Sequence, residues 1–305
     1  MIVVKIKGGL GNQMFQYAMA RKLQMGLGID RIGFDISRVN ADLQRQFSLN
    51  HFRLCDSAGV MEEGSLRNVT RIQEDLTKRL VSYLVAGRPE ELAAAREKKL
   101  EPLFGLLGVV QKDHYAGAES SAFLKAHKNI FMNGWFQNAK IAESIRDVLL
   151  KEFEPAREMT EEVKSRAEEM ESAESVCVHI RRGDYVNHPQ FGVCTDEYYF
   201  RAMEGIAQKT AHPVFYIFSD GLDEVKSMQF SYPVIYDDGN HDNYESLYLM
   251  SKCKHFIMSN STFSWWGQFL SRNDGKIVMA PKRWCNDGHG QHKELYMQQW
   301  MLLSV

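Results

Sequence analysis

The feature that most constrains this chain is an alternation. Short β-branched runs are each followed by a polar or glycine-rich break and then by a stretch with helical spacing. Ile2 to Ile6 leads into Gly8-Gly9-Leu10-Gly11-Asn12, and Gln13 to Met25 then carries apolar residues at helical spacing. Ile130 to Gln137 reads as another strand ending in a polar and aromatic loop, with a helix from Ile141 to Phe153. In the second half, Val176–Ile180, Val214–Phe218, Val234–Tyr236, His255–Met258 and Ile277–Met279 predict strands. Helical spacing intervenes over 196–208, 243–252 and 264–271. Such alternation predicts α/β units with mostly parallel sheets and helices on both faces.

The 305 residues suit two domains of roughly 100–200 residues each. The most charged stretch, Glu154 to Ser175, is the expected boundary. That gives a first domain over 1–155, with a helical insertion at about 60–128, a charged linker over 156–172 and a second domain over 173–305. With 37 basic against 39 acidic residues, no electrostatic footprint for nucleic acid exists, and no nucleic-acid partner is expected. The N-terminus lacks the basic and apolar regions of a signal peptide, and no apolar run approaches the ~20 residues of a membrane span. A cytoplasmic location is expected, compatible with peripheral attachment to a membrane. Five cysteines at irregular spacing, without a C-x-x-C pair, read as buried free thiols.

Ligands of open parallel sheets bind at the carboxyl ends of the strands, and the unusual residues fall there. In His179-Ile180-Arg181-Arg182-Gly183-Asp184-Tyr185, strand alternation puts His179 and Arg181 on one face. Two readings stand. Either Arg181 clamps a diphosphate through its planar fork, or Arg182 pairs with Asp184 and Arg181 is solvated. Ser259-Asn260-Ser261-Thr262 joins a strand to a helix, where backbone N–H groups favour an anion. Simple capping by Ser261 or Thr262 is the compatible alternative. Trp265 and Trp266 fall inside the following helix and read as packing residues. The Gly8 to Gln13 loop lacks the third glycine of a dinucleotide fingerprint, so it reads as a backbone that approaches a ligand closely. Asp237 to Asp242 reads as an Asx-rich turn, not a cation site, and no metal is expected.

Together these segments resemble the α-1,2-fucosyltransferase family, bacterial relatives of the blood-group H enzymes in glycosyltransferase family 11. The resemblance rests on Gly8 to Ala18, Gly134-Trp135-Phe136-Gln137, His179 to Tyr185, Phe218-Ser219-Asp220, and Leu249 to His255 followed by Ser259 to Trp266. It implies a GT-B fold, two Rossmann-like doubly wound domains facing a central cleft. It also implies inverting transfer of L-fucose from GDP-β-L-fucose to the 2-hydroxyl of a terminal β-galactoside, without a metal or other cofactor. The implied partners are GDP-fucose and a galactose-terminated glycan.

The resemblance further assigns Arg181 to the β-phosphate, His179 to the nucleotide, and Ser259, Asn260, Ser261, Thr262, Gly9, Gly11 and Asp220 to the donor. Asn12 is placed at the same phosphate from the first domain, and Asp184 is the candidate base. Trp135, Phe136, Gln137 and Tyr185 are the candidate acceptor contacts. Related enzymes carry an aspartate where this chain has Ser246, so Glu245 beside it is the candidate substitute for the guanosine contact. Competing readings are fucosyl transfer of another linkage (α-1,6, or O-linked to protein), a non-catalytic GDP- or glycan-binding module, and, more remotely, a nicotinamide-linked oxidoreductase.

Overall fold

The computed structural model describes residues 1–62, 64, 69–113, 123–183, 189–237, 241–286 and 292–305; Asp184 and Tyr185 lie outside the described residues. Two compact units emerge: Met1–Glu154 with His292–Leu295, and Pro155–Gln291 with Tyr296–Val305.

The first unit is built on five parallel strands: β1 (Ile2–Lys5), β2 (Ile32–Asp35), β3 (Ala58–Val60), β4 (Val109–Lys112) and β5 (Ile130–Gly134). Their order is β3-β2-β1-β5-β4. The chain builds outward from β1 to β3 and then returns to lay β4 and β5 on the other side. The order therefore reverses between β1 and β5. Right-handed crossovers on the two sides of such a reversal put helices on opposite faces, which is the doubly wound pattern.

The helix Leu10–Leu27 is buried on most of its circumference, Gln13, Gln16 and Gln24 included. Gly28 ends it in the left-handed conformation, φ 66°, where a side chain would be strained. Its buried polar residues are satisfied. The Gln16 amide exchanges bonds with the backbone of Lys7, at 3.1 and 3.0 Å. Tyr17 donates to Glu152 at 2.6 Å, and Arg21 pairs with the same carboxylate at 2.8 Å.

The second unit has six parallel strands: β6 (Ser175–Ile180), β7 (Val214–Ser219), β8 (Val234–Tyr236), β9 (His255–Ile257), β10 (Val278–Pro281) and β11 (Met301–Leu303). Their order is β11-β10-β9-β6-β7-β8, so this sheet reverses between β6 and β9. Every residue of β6 is buried, as a central strand covered on both faces must be. The helix Asp196–Ala207 presents Tyr198, Tyr199, Ala202, Met203 and Ile206 to Val176, Val178, Ile180, Phe215 and Ile217. Burying each such side chain contributes about 1.5–3 kcal/mol.

Three expectations are corrected. Much of the segment read as a linker is the helix Glu161–Ser172, capped by Thr160, with Val163, Ala167 and Met170 buried at helical spacing. Its charges coat only the other side of the helix, and the units divide at Glu154/Pro155. The region read as a helical insertion ends in a buried strand, β4, after the helices Arg71–Leu84 and Glu90–Leu106. The second sheet carries one edge strand more, β11, than the strands expected from the sequence. All five cysteines are free and four are buried, Cys55 being half-buried. Among the described residues no helix is long and apolar enough to cross a membrane.

Candidate functional site

In open parallel sheets the binding crevice lies beyond the strand ends where the order reverses. In the second unit that point is flanked by the loops after β6 and β9, which carry the His-Ile-Arg-Arg and Ser-Asn-Ser-Thr segments. The register pairs Ile180 with Ser219, so the next residues, Arg181 and Asp220, leave the sheet side by side. Arg181 Nε meets Asp220 Oδ2 at 3.1 Å. Asp220 Oδ1 accepts from the backbone N–H of Arg182 at 2.8 Å. A Cβ at Gly183 would stand 2.4 Å from Asp220 Oδ2, so glycine there lets the carboxylate come in. Asp220 thus holds the Arg181 guanidinium through one oxygen and the backbone of Arg182 through the other.

Arg181 is therefore not simply solvated. Among the described residues Arg182 pairs with Asp196 and Glu224, so its charge is matched within the fold.

His179 is buried at the end of β6. Its Nδ1 lies 2.9 Å from Ser259 Oγ and 2.6 Å from Ser264 Oγ, and the two hydroxyls are 3.1 Å apart. Burial, reinforced by the Arg181 guanidinium and opposed by Asp220, pushes its pKa down to about 3. The imidazole is neutral near pH 7, so it serves as a hydrogen-bonding group and not as a cation. An unfolded chain protonates this histidine below its ordinary value of 6.5, whereas the folded chain does so only near 3. The stability it contributes is complete above 6.5 and is lost as pH falls through that window, in total on the order of a few kcal/mol. Urea unfolding of the wild type is expected to weaken between pH 6.5 and 4, and His179→Gln to flatten that slope. An unchanged slope in the variant would show that His179 does not carry the effect.

Ser261 caps the helix Thr262–Leu270, its hydroxyl accepting from Phe263 N at 3.2 Å. Capping is thus observed, and it leaves the helix start with the partial positive charge that favours an anion. The Asn260 side chain braces the turn. Its amide donates to Phe191 O at 3.0 Å and Trp284 O at 2.8 Å, tying the turn to two neighbouring loops. Ser264 was missed. Its signal was the three-residue spacing from Ser261, which on a helix brings a side chain back over the first turn.

Glu245, expected near guanosine, is engaged in a capping box. Its Oε2 accepts from Asp242 N at 2.9 Å, and Oε1 receives Tyr244 OH at 3.4 Å. Ser246 is half-buried on the same helix. Residues 238–240 of the segment read as a turn lie outside the described residues; at its ends His241 Nε2 is 3.2 Å from Asp237 Oδ1, and Asp242 caps the helix Asn243–Lys252. Among the described residues no group of three or more His, Cys, Asp or Glu side chains could hold a metal.

In the first unit the reversal between β1 and β5 is flanked by the glycine loop and by Trp135 to Asn138. Gln137 Nε2 donates to Asn12 Oδ1 at 2.8 Å. Gly8, at φ 75°, is the glycine that geometry demands: a Cβ there would lie 2.7 Å from Asn12 Nδ2 and 2.9 Å from Trp135 Cζ3. At Gly9 the nearest atom would be 3.8 Å away, and Gly11 is buried in the first turn of the helix. Phe136 is buried with φ 53°, a conformation costly for a bulky residue. It turns the chain so that Trp135 and Gln137, both half-buried, flank it toward the loop. The structure thus groups Gly8, Asn12, Trp135 and Gln137 at the strand ends of the first unit, and, separately, His179, Arg181, Asp220, Ser259 and Ser261 at the strand ends of the second.

A family model described as glycosyl transferase family 11 matches residues 108–304. The O-antigen biosynthesis glycosyltransferase WbnK of Escherichia coli is 31% identical over 98% of this chain and 99% of its own length. An alpha-1,2-colitosyltransferase of Escherichia coli is 28% identical over 93% of this chain and 92% of its own. A galactoside alpha-(1,2)-fucosyltransferase of Oryctolagus cuniculus is 26% identical over 62% and 60%. Among solved structures, NodZ alpha-1,6-fucosyltransferase soaked with GDP-fucose superposes with a TM-score of 0.50 at 14% identity, covering 88% of this chain and 92% of that one. A mutant of Arabidopsis thaliana FUT1 in complex with GDP also gives 0.50, at 13% identity over 91% and 69%. Likeness at this level shows the fold, two Rossmann-like units of GT-B type.

Proposed function

The chain belongs to glycosyl transferase family 11, and from that premise we propose that it transfers L-fucose from GDP-β-L-fucose to the 2-hydroxyl of a terminal β-galactoside, with inversion and without a metal. The observation that carries this reading is Arg181, oriented by Asp220 beside a capped helix start and a neutral buried histidine, at the reversal of a parallel sheet.

The chemistry follows from charge. The sugar leaves through an oxocarbenium-like state while negative charge grows on the diphosphate. Fixed positive charge aimed at the leaving group is the largest catalytic contribution such a site can make. Arg181 supplies a full charge, and the backbone amides at Ser261 and Thr262 supply partial ones. His179, neutral and held by Ser259 and Ser264, adds a directed hydrogen bond to the nucleotide. Asp184 is the proposed base, taking the proton of the acceptor hydroxyl as the new bond forms. Asn12 is proposed for the diphosphate, and Trp135, Phe136, Gln137 and Tyr185 for the acceptor side. The names of relatives favour a glycan acceptor of surface-polysaccharide type, and one of them carries colitose. A GDP-linked colitose donor is accordingly the second reading.

Purified protein incubated with GDP-fucose or GDP-colitose and a panel of β-galactosides, with and without EDTA, tests this. The expected outcome is an α-1,2-linked fucosyl product whose yield EDTA does not change. Preference for the colitose donor would transfer the assignment to the second reading. Tight GDP binding with no donor consumed on any acceptor would mark a non-catalytic module. Another linkage would refute the regiochemistry, and loss of activity in EDTA would refute metal independence.

A further inference from the structure

The first unit holds a part-buried ion pair, with the lysine out of solvent and the aspartate 22% exposed. Lys7, directly after β1, is 3% exposed, and its ammonium is paired with Asp113. The Asp113 carboxylate also accepts from Gln111 Nε2 at 3.1 Å and Asn133 Nδ2 at 3.3 Å. Glu97 Oε1, fully buried, accepts from the Asp113 backbone N–H at 3.1 Å and from Gln111 at 2.9 Å. Lys7 stands over the Trp135 indole, 4.5 Å from its centroid. Burial lowers the Lys7 pKa, and Asp113 is the leading influence opposing it.

A pair whose ammonium is taken out of water adds little net stability, because desolvation consumes much of the attraction. What it does supply is direction. Its ammonium covers one face of Trp135, and the Cζ3 edge lies against Gly8, where even a methyl group would come within 2.9 Å. The left-handed Phe136 fixes the backbone on the other side. Trp135 is consequently held by a cation, a glycine and a constrained neighbour while remaining half-buried, at the point of the sheet where ligands bind.

We infer that the Lys7–Asp113 pair is a positioning device for acceptor recognition: it holds the Trp135 indole as a platform for the apolar C–H face of a pyranoside. Lys7 and Asp113 act through Trp135 and are not catalytic residues. The inference rests on the proposed assignment of Trp135 to the acceptor side.

The test compares wild type, Lys7→Met, Lys7→Arg and Trp135→Ala in steady-state assays that vary donor and galactoside separately. Lys7→Met is expected to raise the galactoside KM about tenfold, the scale of a lost cation–π contact and its knock-on misplacement. The donor KM should stay within about twofold. Lys7→Arg should recover part of the loss, and Trp135→Ala should equal or exceed it. An unchanged galactoside KM in Lys7→Met, or donor and galactoside KM rising together, overturns the inference. If Lys7→Met does not fold, Asp113→Asn is read by the same criteria, since it unpairs the ammonium while keeping its volume. A wild type that consumes no GDP-fucose would instead defeat the fucosyl-transfer reading. Galactoside titration of wild type and Lys7→Met, followed by tryptophan fluorescence, would then still decide the platform: equal affinities would overturn it.

Discussion

Arg181→Ala is expected to lower kcat/KM by about 10²–10³-fold, the effect of removing one preorganised group at a developing negative charge. The fold should survive. Arg181 is 18% exposed, its pairing partner Asp220 is 26% exposed, and neither contributes apolar surface to the core. A partly exposed pair of this kind is worth about 0–1 kcal/mol, a small part of the stability of the unit. Arg181→Lys should recover little, because an ammonium cannot be held through Nε by Asp220 and lacks the planar fork that matches phosphate oxygens. The measurement is single-turnover donor consumption together with circular dichroism and thermal melting. Near-normal turnover in a folded Arg181→Ala protein would end the assignment of the β6 loop as the donor site. Low turnover with a collapsed melting transition would instead show that the residue serves the fold.

Trp265→Ala is expected to destabilise the second unit by about 3–5 kcal/mol, the cost of emptying a large buried aromatic site. Trp265 and Trp266 are both fully buried. Trp265 stacks on Phe269 at 4.9 Å between centroids with an interplanar angle of 20°. Trp266 meets Trp265 edge to face at 4.9 Å and Phe269 at 5.1 Å. The three rings, two on one helical turn and one on the next, form one packed block after the 259–262 turn. Removing the first leaves a cavity that its rigid neighbours fill poorly. The melting temperature should fall by roughly 10 °C, given the few degrees per kcal/mol expected for a unit of this size. Loss of activity with an unchanged melting temperature would show that Trp265 acts on a ligand and not on packing. The two predictions divide the second unit into its chemistry and its scaffold.

Much of this separation could be read without coordinates. The strands and most helices announced themselves by period, because burial on both faces makes a parallel strand apolar throughout and a covering helix apolar at every third or fourth position. The Trp265-Trp266 pair was recognisable as packing from its place inside a helix. The 161–172 helix was misread for a related reason. Only Val163, Ala167 and Met170 face inward, and three apolar residues among so many charges resemble a solvated linker. The short strands β3 and β11 carry little signal, being three residues each on sheet edges.

The site was legible as a set of segments and not as an arrangement. His179 and Arg181 sharing a face followed from strand alternation, but pairing of Arg181 with Asp220 depends on the register of β6 against β7. The His179 link to Ser259 and Ser264 spans 80 and 85 residues, a separation at which local pattern says nothing. Glu245 entered as the stand-in for an aspartate of related enzymes, and only the structure shows its carboxylate accepting from the backbone of Asp242. The Lys7–Asp113 pair spans 106 residues and is created only when β1, β5 and β4 lie side by side. By itself, then, the sequence determined the α/β class, the strand-end loops and the chemical types available there, since these follow from nearest neighbours along the chain. The tertiary structure alone decided which of those groups meet, because sheet order and register bring together residues that no local periodicity connects.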